Sequence, residues 1–199
     1  FRSFPIFGIT AKTPFKIKNL KNDFIYTPQL ELVLAPGMSN SNKLSNEDSS
    51  ISSYTITNNM NLNRYSGNDK LDNSKRLNLS FNVTNDVLNG TIMAAYEFTN
   101  NSNFHYSQGN EKKLSDILGD LNLIKDKYSA SYNIRFDPHE NYMKSQNISF
   151  SYNNSLGNYS FAYLDQKSKT EDTILTDKET LNYEFISKKL FKYSKISYN

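Results

Sequence analysis

Apolar and polar residues alternate with a period of two through most of the chain. In RLNLSFNV the apolar set is Leu77, Leu79, Phe81 and Val83, and the other face carries Arg76, Asn78, Ser80 and Asn82. In YSASYNIRF, Tyr128, Ala130, Tyr132, Ile134 and Phe136 oppose Ser129, Ser131, Asn133 and Arg135. NISFSY, YSFAY and LNYEF repeat the pattern at Ile148, Phe150 and Tyr152, at Tyr159, Phe161 and Tyr163, and at Leu181, Tyr183 and Phe185. Such alternation marks half-buried antiparallel strands. It predicts about ten strands, near 6–18, 24–35, 76–85, 88–98, 115–125, 127–137, 143–153, 158–166, 179–188 and 190–198. Most run about 9–11 residues, long for a globular sheet and the length that crosses a bilayer when tilted. No amphipathic helix is predicted.

The connections alternate as well. After residue 85 they run short (Asp86-Val87), long (99–114), short (Asp126), medium (138–142), short (154–157), long (167–178) and short (Lys188-Lys189). Short turns on one side and long loops on the other are the habit of transmembrane barrels. The short turn LKND joins the first two strands, so the second ends on the long-loop side, where the strand near 76 must begin. An even number of crossings therefore fits between 36 and 75, and none is simplest. Residues 36–75 are expected to form one long excursion, with any strand near SYTIT belonging to it.

Composition narrows the class. Hydrophobic content is 37% across 199 residues, low for a globular protein, yet 14 Tyr and 13 Phe exclude wholesale disorder. The net charge of +3 is too small to indicate nucleic acid. Cysteine is absent, so neither a disulfide framework nor a thiolate site is available in these residues. No apolar run is long enough for a transmembrane helix, which leaves a β-barrel open. The chain opens at Phe1 without an initiator Met or a signal pattern, and is expected to be a piece of a longer protein.

Candidate chemistry is sparse. Glu47-Asp48 and Asp69 could form a paired-carboxylate site, but neighbouring acids in a polar loop are ordinarily solvated or paired with Lys or Arg, and Arg64 is the expected partner. Their spacing does not match a calcium-binding loop. His105 and His139 stand without a second His at ligand spacing and read as loop residues. Sequons at Asn82-Val83-Thr84 and Asn147-Ile148-Ser149 are expected by chance in so Asn- and Ser-rich a chain. The polar faces are either a solvated sheet surface or a hydrated lumen, and the loop rhythm favours the lumen.

Several stretches in order resemble one family: YTPQLELVLAP (26–36), NEDS (46–49), NLNRYSGNDKLDNSKRLNLSF (61–81), LSDILGDLNL (114–123), YSASYNIRFD (128–137) and NYSFAYLDQ (158–166). Together they are similar to the barrel of the outer-membrane LPS-assembly family LptD, over about residues 24–166. The most specific pieces are Asn46-Glu47-Asp48-Ser49, against the family's PNEDS, and Asn63-Arg64-Tyr65-Ser66-Gly67-Asn68-Asp69, against NRFSGxD. Asp69-Lys70 stands where the family has Asp-Arg, which keeps the charge and loses the guanidinium fork.

The resemblance implies an all-β antiparallel meander forming part of a large transmembrane barrel in the cell outer membrane. It implies non-enzymatic transport of lipopolysaccharide into the outer leaflet, with no cofactor, catalytic residue or metal. The implied partners are lipopolysaccharide, an LptE-type plug lipoprotein and an LptA-type periplasmic bridge protein. About ten strands cannot close such a barrel, so an open-edged sheet is expected for these residues. Asn46, Glu47, Asp48, Arg64, Tyr65, Gly67 and Asp69 form the expected structural loop motif. Asp48, Arg64 and Asp69 would hold it by charge-assisted hydrogen bonds, with Gly67 supplying a turn. Two other classes stay open: another outer-membrane barrel, such as a porin or receptor, and a soluble β-sandwich binding module.

Overall fold

The computed structural model describes residues 5–18, 23–35, 50–51, 54–66, 70, 72–98, 113–170, 173–187 and 194–198. Eleven strands form one antiparallel sheet. They are β1 (Phe7–Lys12), β2 (Phe15–Ile17), β3 (Phe24–Leu34), β6 (Lys75–Thr84), β7 (Leu88–Glu97), β8 (Ile117–Lys125), β9 (Tyr128–Asp137), β10 (Tyr142–Asn153), β11 (Gly157–Thr170), β12 (Thr173–Ser187) and β13 (Ser194–Tyr198). The order is β1-β3-β6-β7-β8-β9-β10-β11-β12-β13, a meander in which each strand from β6 onward pairs with the next. Both β1 and β2 pair with β3.

Three connections begin with the same device. Asn85 Oδ1 accepts from the amides of Val87 (2.9 Å) and Leu88 (2.7 Å), and Asn154 Oδ1 accepts from Leu156 (2.8 Å) and Gly157 (3.0 Å). Asp137 Oδ1 accepts from His139 (2.9 Å) and Glu140 (3.2 Å). Asn and Asp side chains imitate a backbone turn in this way, so the chain reverses without leaving amides unpaired. Asp126 and Asn141 adopt positive φ (51° and 52°), which these side chains tolerate better than most.

β3 pairs directly with β6, from Ile25↔Thr84 to Leu34↔Lys75, so no strand of the large sheet intervenes between them. The described part of residues 36–74 forms a separate two-stranded pair, β4 (Ser50–Ile51) with β5 (Tyr65–Ser66), and one helical turn, α1 (Ile56–Asn59). Thr55 caps α1, its hydroxyl accepting from the Asn58 amide at 3.3 Å.

Two expectations need correction. The single strand expected over 6–18 is interrupted at Thr13-Pro14, because Pro has no N–H to give the ladder. Residues 167–178, expected as a long loop, mostly continue β11 and β12 to the pair Thr170↔Thr173, with a register shift between Ser168 and Lys169. The sequence there, KSKTEDTILTDK, breaks the alternation of apolar and polar positions, so the half-buried pattern that reveals a strand is missing. α1 is one capped turn, too short for any helical period to announce.

Candidate functional site

Burial is inverted relative to a soluble sheet. Arg76, Asn78, Asp72 and Ser74 have 0% exposure, whereas Ile9 is 70% and Ile92 48% exposed. Most of the buried polar residues lie on one face of the sheet, toward the end carrying the long connections. Residues 54–66 and 72–74 fold over them.

Arg64 is the centre of this layer. Its Nε donates to Asp72 Oδ2 at 2.6 Å and its Nη2 to Asp72 Oδ1 at 3.3 Å and Glu97 Oε1 at 2.6 Å. Arg76 Nη1 reaches Asp72 Oδ2 at 3.0 Å, and its Nη2 donates to the Asn61 carbonyl. The Ser74 hydroxyl lies 2.9 Å from both oxygens of Glu97. Asn63 Oδ1 accepts from the amides of Tyr65 (3.3 Å) and Asp72 (2.9 Å), closing the segment between them. Toward β3, Asn78 Nδ2 donates to Glu31 Oε2 at 2.7 Å and to the Asn59 carbonyl at 3.0 Å, tying α1 to the sheet. Charges this buried persist because each is paired and hydrogen-bonded; taken singly they would be strongly disfavoured.

Beside this layer lies a small apolar contact. Tyr54, Ile56 and Met60 pack on Met93, Ala95 and Leu118, which are buried on the polar face. A second ionic group follows. Lys144 Nζ lies 3.0 Å from Asp116 Oδ1 and 2.9 Å from Asp137 Oδ2, and Arg135 Nε donates to Asp116 Oδ2 at 2.6 Å. The register shift between Met143 and Ser145 adds a residue to β10, and Lys144 is that residue. The Arg135 guanidinium lies over the Tyr54 ring, 4.8 Å from its centre, joining this group to the overlying segment. The arrangement is an apolar plug flanked by ion pairs on both sides, and it fixes residues 54–66 and 72–74 to β6–β9.

The electrostatics of the segment match. Burial pulls the Arg64 guanidinium toward deprotonation, but Asp72 and Glu97 outweigh it and hold its pKa above the ordinary value. Desolvation pushes the Tyr54 phenol up despite its hydrogen bond to Ser115, and pushes Tyr65 up to about 12. Both phenols are therefore neutral throughout the physiological range.

The opposite face is apolar and exposed: Leu30, Leu79, Ile92, Leu121, Ile148, Phe161 and Leu181 all project from it. Near the short connections it carries a row of rings across four strands. Tyr128 stacks on Tyr152 (4.7 Å between centres), Tyr152 on Tyr159 (6.2 Å) and Tyr159 on Phe185 (4.6 Å). At the other end the apolar rows give way to Gln146, Asp165 and Glu179, cross-strand neighbours on this same face. Asp165, Asp177 and Glu179 bring three carboxylates within 4.8 Å, with Lys167 Nζ 3.9 Å from both aspartates. Among the described residues this is the one carboxylate group with the spacing of a metal site.

An apolar exterior, a polar opposite face and an antiparallel meander are the features of a barrel wall in a membrane. The family profile LPS transport system D (LptD) matches residues 1–187. The chain belongs to the LptD family. No curated protein matches it. Within the LptD frame the sheet is part of a large transmembrane β-barrel, its apolar face is the membrane-facing one, and the family serves lipopolysaccharide transport to the outer membrane.

Of the residues singled out in sequence, Arg64 and Tyr65 are buried, with exposures of 3% and 7%. Asn46, Glu47, Asp48, Gly67 and Asp69 lie outside the described residues, as does His105. The carboxylates that Arg64 meets among the described residues are Asp72 and Glu97. His139 Nε2 hydrogen-bonds the Leu114 carbonyl at 2.8 Å, a loop contact. Sequence reasoning missed Asp72, Glu97, Arg76, Asp116, Asp137 and Lys144. A signal existed for some: charge, rather than Asn or Ser, at the polar-face positions of strands nearest the long connections.

Proposed function

We propose that this chain is a wall segment of the outer-membrane LPS translocon. The barrel it belongs to passes the sugar part of lipopolysaccharide through a polar lumen and releases the acyl chains into the outer leaflet. No covalent chemistry is involved. The observation that carries this reading is the family match combined with the inverted faces, apolar toward lipid and polar toward the interior. The same reading puts the chain in the cell outer membrane, with an LptE-type plug lipoprotein in the lumen and an LptA-type bridge on the periplasmic side.

Residues 36–75 then form the extracellular, lumen-facing excursion, and Asn46, Glu47, Asp48, Arg64, Tyr65, Gly67 and Asp69 its structural motif. The ion pairs of Arg64 with Asp72 and Glu97 support a role in holding this excursion over the interior face. Its part in transport is to narrow the mouth of the barrel and keep it narrow.

Depletion of the full protein in cells tests the reading. The expected result is lipopolysaccharide retained at the inner membrane and lost from the surface. Surface lipopolysaccharide unchanged after depletion would refute it and favour a porin or receptor.

A further inference from the structure

The apolar rows of β11 and β12 end at the cross-strand pair Tyr163↔Leu181. In the next row on that face Asp165 stands opposite Glu179, and in the row after it Lys167 stands opposite Asp177. One oxygen from each of the three carboxylates lies within 4.8 Å of the others. Like charges directly opposite each other in a ladder repel. Asp165 carries the larger cost, because it is only 5% exposed. Its Oδ2 accepts from Gln146 Nε2 on β10 at 3.1 Å. Its Oδ1 is buried and has no hydrogen-bond partner among the described residues. With Oδ2 turned toward β10, Oδ1 is the oxygen on the β12 side, where Glu179 stands. Lys167 does not settle the balance. Its Nζ is 3.9 Å from Asp165 Oδ2 and 3.9 Å from Asp177 Oδ2, outside hydrogen-bond range. One ammonium against three carboxylates leaves two formal negative charges in the group.

We infer that Asp165, Asp177 and Glu179 bind a hard divalent cation, calcium by their spacing. A buried anionic oxygen is strongly disfavoured unless it is paired, and a dication supplies the missing charge and the missing partner together. Calcium takes carboxylate oxygens at about 2.3–2.6 Å, so two of its ligands stand up to about 5 Å apart, whereas magnesium, at about 2.0–2.1 Å, spans only about 4 Å. Asp177 and Glu179 are exposed, so water has access to complete the shell from their side. Asp165 closes the other side from within the sheet. The bound cation would tie β11 to β12 next to the register shift between Ser168 and Lys169, where the ladder is locally interrupted. The site is independent of the transport reading, since it needs only these side chains and the register that brings them together.

The test is calorimetric titration of the full-length protein in detergent, stripped with EDTA and then titrated with calcium chloride. The expected result is one calcium fewer per chain in the double variant Asp177→Asn, Glu179→Gln than in the wild type. Asp126→Asn, which removes a carboxylate from the turn between β8 and β9, is expected to bind as the wild type does. Both groups changed in the double variant are exposed, so its fold is expected to survive, and heat-modifiable migration checks this. Lys167→Gln keeps every carboxylate and removes the competing ammonium, so it is expected to bind calcium several-fold more tightly. It also keeps the test decisive if the double variant does not fold. Equal calcium binding by the wild type and the double variant overturns the inference. So does an equal loss in Asp126→Asn, or an unchanged affinity in Lys167→Gln.

Discussion

Arg64 and Glu97 stand 33 residues apart in sequence and meet at 2.6 Å, both buried, one in the excursion between β3 and β6 and the other at the end of β7. Asp72 completes the contact from the other side of the guanidinium. One cation thus joins the excursion to the sheet at two carboxylates. Arg64→Ala leaves both carboxylates buried without it and is expected to destabilise the barrel by about 3–5 kcal/mol. Arg64→Lys keeps the charge, loses the fork, and is expected to fall between. Urea unfolding of the full protein gives the ranking, and limited proteolysis between β3 and β6 shows whether the loss is local.

Lys144 sits between Asp116 and Asp137 because β10 carries an extra residue. Lys144→Ala is expected to cost about 3 kcal/mol, the lower end for a broken buried pair, since Arg135 still serves Asp116. Adding Asp137→Asn should recover part of the loss, because it removes the carboxylate left uncompensated. A double-mutant cycle on unfolding free energy measures the coupling. Additive effects of the two changes would contradict the contact.

Alkaline pH should loosen the excursion. Tyr65 is held up to about 12 by burial, against an ordinary phenol near 10, so its protonated form is favoured in the fold. The stabilisation is fully present below pH ~10 and is lost as pH rises toward ~12. Ultraviolet titration of the tyrosinate band, wild type against Tyr65→Phe, should show one late-titrating phenol fewer in the variant. Identical profiles would contradict the burial of its hydroxyl.

Charge placed on the two faces should have opposite consequences. Phe161→Arg, in the middle apolar row, is expected to cost about 2–4 kcal/mol when the barrel folds into a bilayer. Asn122→Arg, exposed on the polar face, should change stability by less than about 0.5 kcal/mol. The folded fraction in lipid, followed by heat-modifiable migration, distinguishes them.

The strands were legible because one rule, alternation, covers every strand half in contact with lipid: Leu77, Leu79 and Phe81 announce β6 without any knowledge of its neighbours. Where that contact ends the rule fails. The distal parts of β11 and β12, KSKT and TILTDK, break the alternation and read as loop. Pro14 splits a strand whose apolar pattern runs through it. Arg64 was conspicuous by resemblance, but its partners were not, because Asp72 lies in an irregular segment and Glu97 on a distant strand. Lys144 was hidden by the bulge, which no local pattern encodes. The small apolar contact of Met93, Ala95 and Leu118 has the opposite cause: apolar residues on a polar face break the alternation and are visible only with Tyr54, Ile56 and Met60 upon them.

The most direct measurement is accessibility along one strand. These residues contain no Cys, so single cysteines can be placed from Tyr128 to Phe136 in the full protein, spin-labelled, and compared for contact with oxygen dissolved in lipid and with a water-soluble nickel chelate. The expected result is alternation: lipid contact at 128, 130, 132, 134 and 136, and contact with water or with protein at 129, 131, 133 and 135. Uniform access to the nickel chelate on both sets would contradict a membrane wall.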